Sequence, residues 1–206
     1  TNPDVLKPLA YHNGEILMMD HSAKPTEDCM FSDPMKTGVL KLHNTASWGS
    51  VKKGGGIAVY NLTDGIQDFS FRPADIPQLE ESDNYWVYDY FAKNAFSLGK
   101  QESYESRLDL GGFGWFVLLP KGKYGTCLGL LDKFVGFTAV ERIFENDSTQ
   151  TVVVKESGTL GWLSEKEPQK VMVNSVDVTS RVKKNDFLYE ITLPEGPHKT
   201  VLSFVW

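Results

Sequence analysis

The sequence predicts an all-β protein: an antiparallel two-layer β-sandwich preceded by a short helix and an extended connector. Three observations lead there. From residue 39 onward the chain is a succession of short runs rich in Val, Ile, Phe, Tyr and Trp, the residues that suit a pleated, half-buried surface. Gly, Pro, Asn and Asp separate those runs, and these are turn residues. No stretch after residue 12 keeps the 3.6-residue period of an amphipathic helix. Many short strands at close spacing make a sandwich or a barrel. No repeat of fixed length is visible.

Taken in order, NPDVLKPLA (residues 2–10) opens as a helix. Asn2 can cap it, Pro3 suits its first position, and Asp4 favours its positive end. Pro8 sits too far in for a regular helix, so this one is short or kinked. In YHNGEILMM, Asn13-Gly14 is a hairpin turn signal. Residues 20–38 are rich in Pro, Asp, Lys and Thr without a sustained period, which predicts a connector or covering loop. Strands follow at VLKLHN, GGIAVYNL, YWVYDYF, SYESRLDL, GWFVLLP and CLGLLDKFVGFTAVERIF. The remaining runs are TQTVVVKE, GTLGWL, KVMVNS, FLYEITL and TVLSFVW. The glycine runs Gly54-Gly55-Gly56 and Gly111-Gly112 lead into strands, not helices. A phosphate loop needs a helix N-terminus after it, so turns or bulges are the better reading.

The bulk numbers narrow the function classes. A chain of 206 residues can bury a sizeable core. Its net charge of −6 argues against a phosphate backbone as partner, since the densest basic pairs are only Lys52-Lys53 and Lys183-Lys184. No apolar run approaches the roughly 20 residues that span a bilayer. The chain starts at Thr1 without an initiator Met or signal peptide, which reads as an excised or processed piece. Cys29 and Cys127 are too few for a disulfide framework. One bridge between them is open, and two buried free thiols is the favoured alternative.

Residue types that could do chemistry are present but poorly arranged. A nucleophilic Cys needs a base and a lowered pKa. Cys29 lies among acids, with His21 across a Pro, so a catalytic Cys29 is rejected. His12, His21, His43 and His198 are scattered singly, and no pair has metal-ligand spacing. Glu80-Glu81 and Asp109 do not define a carboxylate pair for glycoside hydrolysis. The sequons at Asn61 and Asn146 are weak signals. Trp48, Trp86, Tyr88 and Tyr90 are candidates for a carbohydrate-stacking platform. YWVYDY alternates, so Trp86, Tyr88 and Tyr90 share one face. The competing reading, which the pattern favours, is that this face is core between two sheets.

A resemblance gives these fragments an order. KPTEDCMFSDP, residues 24–34, is similar to the motif R-P-T-R-D-C-L-F-x-D-P of the raffinose synthase and seed-imbibition (alkaline α-galactosidase-like) proteins, in or near glycoside hydrolase family 36. Pro25, Thr26, Asp28, Cys29, Phe31, Asp33 and Pro34 match it. DVLKPLAYHNGEIL resembles the family's last barrel helix and the P-D-G-S-I-L turn after it. VLKLHNTASWGSVKKGGGIAVYNLTDG is similar to L-L-K-I-W-N … G-V-x-G-x-F-N. CLGLLDKF is similar to P-I-G-L-x-N-M-F, and SGTLGWLSEKEP to G-x-F-x-A-Y-S-x-x-x-P. The match runs in order along almost the whole chain. Glu27 stands where the family has Arg, His43 where it often has Trp, and VGFTAVE where it has N-S-G-G-A-I. These departures point to a distant, bacterial relative.

The resemblance implies that residues 1–38 are the end of a catalytic barrel plus a connector, and 39–206 a C-terminal β-sandwich domain. The family's catalytic acids lie on a (β/α)8 barrel that would precede Thr1, so no catalytic residue is carried over. Lys184-Asn185-Asp186 mimics a nucleophile motif but falls in a turn between late strands. The implied function is a non-catalytic accessory domain that packs on that barrel, in a parent glycoside hydrolase or galactosyltransferase. A carbohydrate-binding module for galactosides is the alternative. No cofactor or metal is implied. The implied partners are the barrel of the same protein and an oligosaccharide, with no nucleic acid and no membrane. In the connector, Asp28 and Asp33 should bond backbone amides at turns. Cys29 and Phe31 should pack inward, and Pro25 and Pro34 should stiffen the path.

Overall fold

Antiparallel strands make up most of the regular structure in the computed structural model, which describes residues 6–196 and 199–206. The chain divides into two compact units. One comprises Met19–Ala46 and Lys53–Lys121 and is called here the early-strand unit. The other, the late-strand unit, takes Ser47–Lys52, Gly122–Trp206 and the segment up to Met18. Among the described residues no helix is long and apolar enough to cross a membrane.

The early-strand unit contains β1 (Lys24–Pro25), α1 (Glu27–Met30), α2 (Pro34–Thr37), β2 (Val39–Trp48, to Ala46) and β3 (Lys52–Asn61, from Lys53). Next come β4 (Gln67–Phe71), β5 (Asn84–Asp89), β6 (Asn94–Gly99), β7 (Tyr104–Leu108) and β8 (Phe113–Pro120). Six of the strands form one sheet in the order β1-β2-β3-β8-β5-β6, and β4 pairs with β7. Register puts Ile57 opposite Phe116 and Val87 opposite Leu118 on one face of the large sheet. Phe69 and Phe71 of β4 close over that face, with ring centroids 5.9 and 4.9 Å from Phe116. This is a sandwich in miniature, with period-2 alternation supplying both inner faces.

The connector holds two single-turn helices, α1 and α2, so it is not extended throughout. Each α2 boundary has a cause. The Asp33 carboxylate accepts from the Met35 amide at 3.1 Å, Pro34 takes the first helical position, and Gly38 ends the turn at φ 82°. The Gly38 amide donates to the Pro34 carbonyl at 2.8 Å.

Gly54, Gly55 and Gly56 are not a turn or bulge; they lie inside β3. The reason is room for neighbours. A Cβ on Gly56 would lie 2.1 Å from the Trp115 ring, and one on Gly55 2.9 Å from Leu79. Gly111, at φ 62°, does sit in a turn, between β7 and β8.

The late-strand unit contains β9 (Thr126–Leu130), β10 (Val140–Glu145), β11 (Thr149–Val154), β12 (Thr159–Leu163) and β13 (Lys170–Val173). It continues with β14 (Val176–Asp177), β15 (Lys183–Asn185), β16 (Leu188–Thr192) and β17 (Thr200–Val205). Its sheets run β10-β11-β17-β13-β14 and β15-β16-β12-β9. They meet where Trp162 of β12 stacks on Phe204 of β17, centroids 4.2 Å apart. The run CLGLLDKFVGFTAVERIF is broken after Leu130 and resumes through a 3-10 turn at Gly136–Ala139. Backbone meets backbone there: a Cβ on Gly129 (φ 84°) would lie 2.1 Å from the Gly136 carbonyl oxygen. Before Met18, the Asn13-Gly14 turn forms as its sequence predicts, with the Tyr11 amide donating to the Glu15 carbonyl at 2.8 Å. A single 3-10 turn, Lys7–Leu9, precedes it, while Asn2, Pro3 and Asp4 lie outside the described residues.

Both thiols are free and buried. Burial pushes the Cys127 thiol up to about 12, against a hydrogen bond with the Gly129 backbone. Cys29 lends its sulfur to the β2 edge: the Lys41 amide donates to Sγ at 3.4 Å, and the thiol donates to the Val39 carbonyl at 3.7 Å. A thiol reagent should therefore label neither residue in the native chain and both after denaturation. Cys29→Ala should cost about 1–3 kcal/mol in urea unfolding, because it leaves the buried Lys41 N–H without an acceptor. Fast native labelling of Cys29 would show the connector to be loose.

Candidate functional site

The early-strand unit carries an open cleft of about 860 Å³, and the KPTEDC stretch forms one of its walls. Construction begins at the β2 edge. β1 pairs with β2 for two residues, Lys24 opposite His43 and Pro25 opposite Leu42. The Thr26 amide then donates to the Lys41 carbonyl at 3.1 Å and the chain turns into α1. Along β2, alternation directs Lys41, His43 and Thr45 to one face, and all three line the cleft. The opposite wall comes from β4 and the following turn: Ser70, Phe71, Arg72 and Asp75.

Two ion pairs organise the walls. The Lys41 ammonium is buried and donates to Asp28 Oδ2 at 2.7 Å and to the Ser70 carbonyl at 2.8 Å. The Thr26 hydroxyl donates to Asp28 Oδ1 at 2.6 Å. Partial burial works against ionised Asp28, but the hydrogen bonds from Lys41 and Thr26 outweigh it and hold the carboxyl below its ordinary range. On the other wall Arg72 forks onto Asp75, with Nη2 at 3.0 Å and Nε at 3.3 Å from Oδ1. The Arg72 amide donates to Oδ2 at 2.9 Å. His43 is pushed below its ordinary pKa by burial and then by Lys24, against Asp75, so it is neutral at pH 7.

Asp28 therefore does more than bond a turn amide; it neutralises a lysine of β2. Asp33 does cap a turn, and Cys29 is buried as the connector reading expects. Phe31 is the correction. It is 84% exposed, because α1 ends at Met30 and turns the next side chain away from the sheet.

The four aromatic candidates lie elsewhere. Trp48, Trp86, Tyr88 and Tyr90 are 2%, 1%, 2% and 9% exposed, too little to offer ring faces to a sugar. Trp48 instead donates its indole N–H to the Cys127 carbonyl at 2.8 Å. The exposed rings are others: Tyr60 stacks with Phe113 at 6.4 Å, and Phe91 meets Phe113 edge-on at 5.0 Å. Asn61 of the first sequon is buried and fully engaged. Its amide donates to the carbonyls of Gly65, Leu108 and Asp109, and its oxygen accepts from Thr63. Glu81 pairs with Lys100 at 2.5 Å. Lys184 pairs with Glu167 at 3.0 Å, and Asp186 sits in the β15–β16 turn at φ 49°. Among the described residues no group of three His, Cys, Asp or Glu could hold a metal ion, and His198 lies outside them.

Sequence reasoning did not assemble the cleft. Its polar residues come from β1, α1, β2, β4 and the turn after β4, and of the connector residues Asp28, Cys29, Phe31 and Asp33 singled out in the sequence, Asp28 and Phe31 line it.

Comparison with known proteins includes a family match that takes in the connector and the first strands. Residues 1–66 match the family described as raffinose synthase or seed imbibition protein Sip1, and they are a raffinose synthase-like region. A probable galactinol–sucrose galactosyltransferase of Arabidopsis thaliana is 24% identical over 220 aligned positions. That alignment covers 92% of this chain and 29% of the plant protein, so the chain spans under a third of that relative's length. Among solved structures, a glycoside hydrolase family 27 β-L-arabinopyranosidase from Geobacillus stearothermophilus is 14% identical with a TM-score of 0.39. It covers 59% of this chain and 23% of its own, a likeness too slight to assign a fold.

Proposed function

We propose that this chain is the non-catalytic C-terminal β-sandwich portion of a glycoside hydrolase or galactosyltransferase of the raffinose synthase kind. Its task is to pack on a (β/α)8 catalytic barrel of the same protein and stabilise it. One observation carries the docking role. Among the described residues, six exposed large hydrophobic side chains of the early-strand unit lie inside the raffinose synthase-like region. Met30, Phe31 and Met35 are three of them, on or beside the two short helices of the connector. Concentrated exposed apolar surface marks an interaction site in a soluble domain.

The isolated chain should show no turnover of aryl α-galactosides, raffinose, or galactinol with sucrose. It should also bind a hydrophobic dye, and the triple variant Met30→Ser, Phe31→Ser, Met35→Ser should lower that signal without lowering the melting temperature. Turnover that survives purification and disappears on a point substitution in this chain would overturn the proposal. Dye binding unchanged in the triple variant would remove the connector from the docking surface.

A further inference from the structure

We infer that the cleft of the early-strand unit binds an uncharged polyhydroxylated ligand, a mono- or oligosaccharide, through Arg72, Asp75, Lys41 and His43. This goes beyond the docking role and moves any sugar site away from Trp48, Trp86, Tyr88 and Tyr90. The first argument is charge. The ionised lining residues are Lys24, Lys41 and Arg72 against Glu27, Asp28 and Asp75, a balance of zero. Two of the pairs are fixed in contact, Lys41–Asp28 at 2.7 Å and Arg72–Asp75 at 3.0 Å. A phosphate or carboxylate entering the cleft would meet three acids, and a cation would meet three bases. An uncharged ligand loses nothing to either.

The second argument is hydrogen-bonding capacity. A guanidinium carries five N–H donors and an ammonium three. Arg72 commits its Nε–H and one Nη2–H to Asp75, and Lys41 commits two protons to Asp28 and Ser70. Donors remain on both, and a neutral imidazole at His43 offers one donor and one acceptor. Hydroxyl groups donate and accept at once, and a mixed lining of this kind matches them. A volume of about 860 Å³ suits a di- or trisaccharide. A peptide added as a strand is the weaker occupant: β2 is paired on one side by β3 and on the other by β1, and Cys29 takes the Lys41 amide.

The test is NMR titration of the 206-residue chain. The probes are galactose, melibiose, raffinose and inorganic phosphate, with the His43 imidazole and the backbone amide resonances of the cleft as reporters. The expected result is saturable sugar binding in the millimolar range with a shift at His43 and no comparable response to phosphate. Arg72→Ala should weaken binding by about tenfold, equivalent to about 1.4 kcal/mol. Should that variant disturb the turn, Arg72→Lys and His43→Ala replace it, each checked for an unchanged melting temperature. No His43 shift with any of the sugars, stronger binding of phosphate, or sugar affinity indifferent to all three substitutions would each overturn the site. Turnover assays on the same chain leave this result untouched, so failure of the docking proposal and failure of this one are separable.

Discussion

Trp162→Ala should lower the unfolding free energy by about 3–5 kcal/mol, read as a fall in urea midpoint with an unchanged slope. The side chain is 0% exposed and joins the two sheets of the late-strand unit. Its ring lies 4.2 Å from Phe204 with 11° between planes, 5.3 Å from Tyr189 and 5.6 Å from Trp206. Its indole N–H donates to Gln150 Oε1 at 2.9 Å. Gln150 is itself buried and passes the chain on, donating to the Gly125 carbonyl at 3.0 Å and to Glu145 Oε1 at 2.7 Å. Alanine would open a cavity and also orphan a buried amide oxygen. Trp162→Phe keeps much of the packing and loses the donor, so it should cost about 1–3 kcal/mol. The gap between the two variants measures packing alone. Gly125 confirms how tightly the ring is held, since a Cβ there would lie 2.1 Å from it. A loss under about 1 kcal/mol for the alanine variant would mean that the sheets do not depend on this ring.

The parts of the fold legible in the sequence are those decided by local composition. VLKLHN, GWFVLLP, TQTVVVKE and TVLSFVW are long enough, and rich enough in β-branched and aromatic residues, to declare themselves against their flanking turns. QDFSF and NAFSLG are strands too, β4 and β6, but five or six residues with polar neighbours give no margin over loop. The two connector helices are single turns, too short to show a period. Their punctuation was nevertheless present in Asp33, Pro34 and Gly38. The glycines of β3 mislead for a different reason. Glycine marks a turn and a close approach equally well, and what decides is Trp115, some sixty residues later in the chain.

The cleft was hidden by the same physics. Lys41 in an alternating strand reads as a solvent-facing residue. It is buried because Asp28 and the Ser70 carbonyl meet it, and neither is visible from β2. Phe31 shows the converse: an aromatic beside a buried cysteine reads as core, yet the end of a one-turn helix points it outward. Of the motif KPTEDCMFSDP, the turn chemistry of Asp33 and the burial of Cys29 could be derived from residue type. The partner of Asp28 and the direction of Phe31 required the fold.

The segment before Met18 gives the other large expected effect. Lys133→Ala should destabilise the late-strand unit by about 3–5 kcal/mol, the range for breaking a buried charge arrangement from one side. The Lys133 ammonium is buried and donates to the Lys7 carbonyl at 2.7 Å. Asp132 Oδ2 lies 3.4 Å away and Glu156 Oε1 3.8 Å. Glu156 is also buried, and its other oxygen accepts from the His12 amide at 2.7 Å. The Phe134 amide donates to the Pro8 carbonyl at 3.0 Å. Residues 7–12 are thus held by contacts that include a buried lysine, a buried glutamate, a backbone bond and the Tyr11 hydroxyl 3.5 Å from Thr138 Oγ1. Without Lys133, Glu156 Oε1 loses its nearest buried cation and keeps no hydrogen bond of its own. The discriminating experiment is a double-mutant cycle with Glu156→Leu, followed by urea unfolding and by chymotrypsin cleavage after Tyr11. If charge pairing dominates, Lys133→Met with Glu156→Leu should be more stable than Lys133→Met alone, by at least about 1 kcal/mol. If the bond to the Lys7 carbonyl dominates, the two losses should add, and cleavage after Tyr11 should rise in every variant lacking Lys133. Resistance of residues 7–12 to chymotrypsin in the Lys133→Ala variant would show that this lysine does not hold the segment.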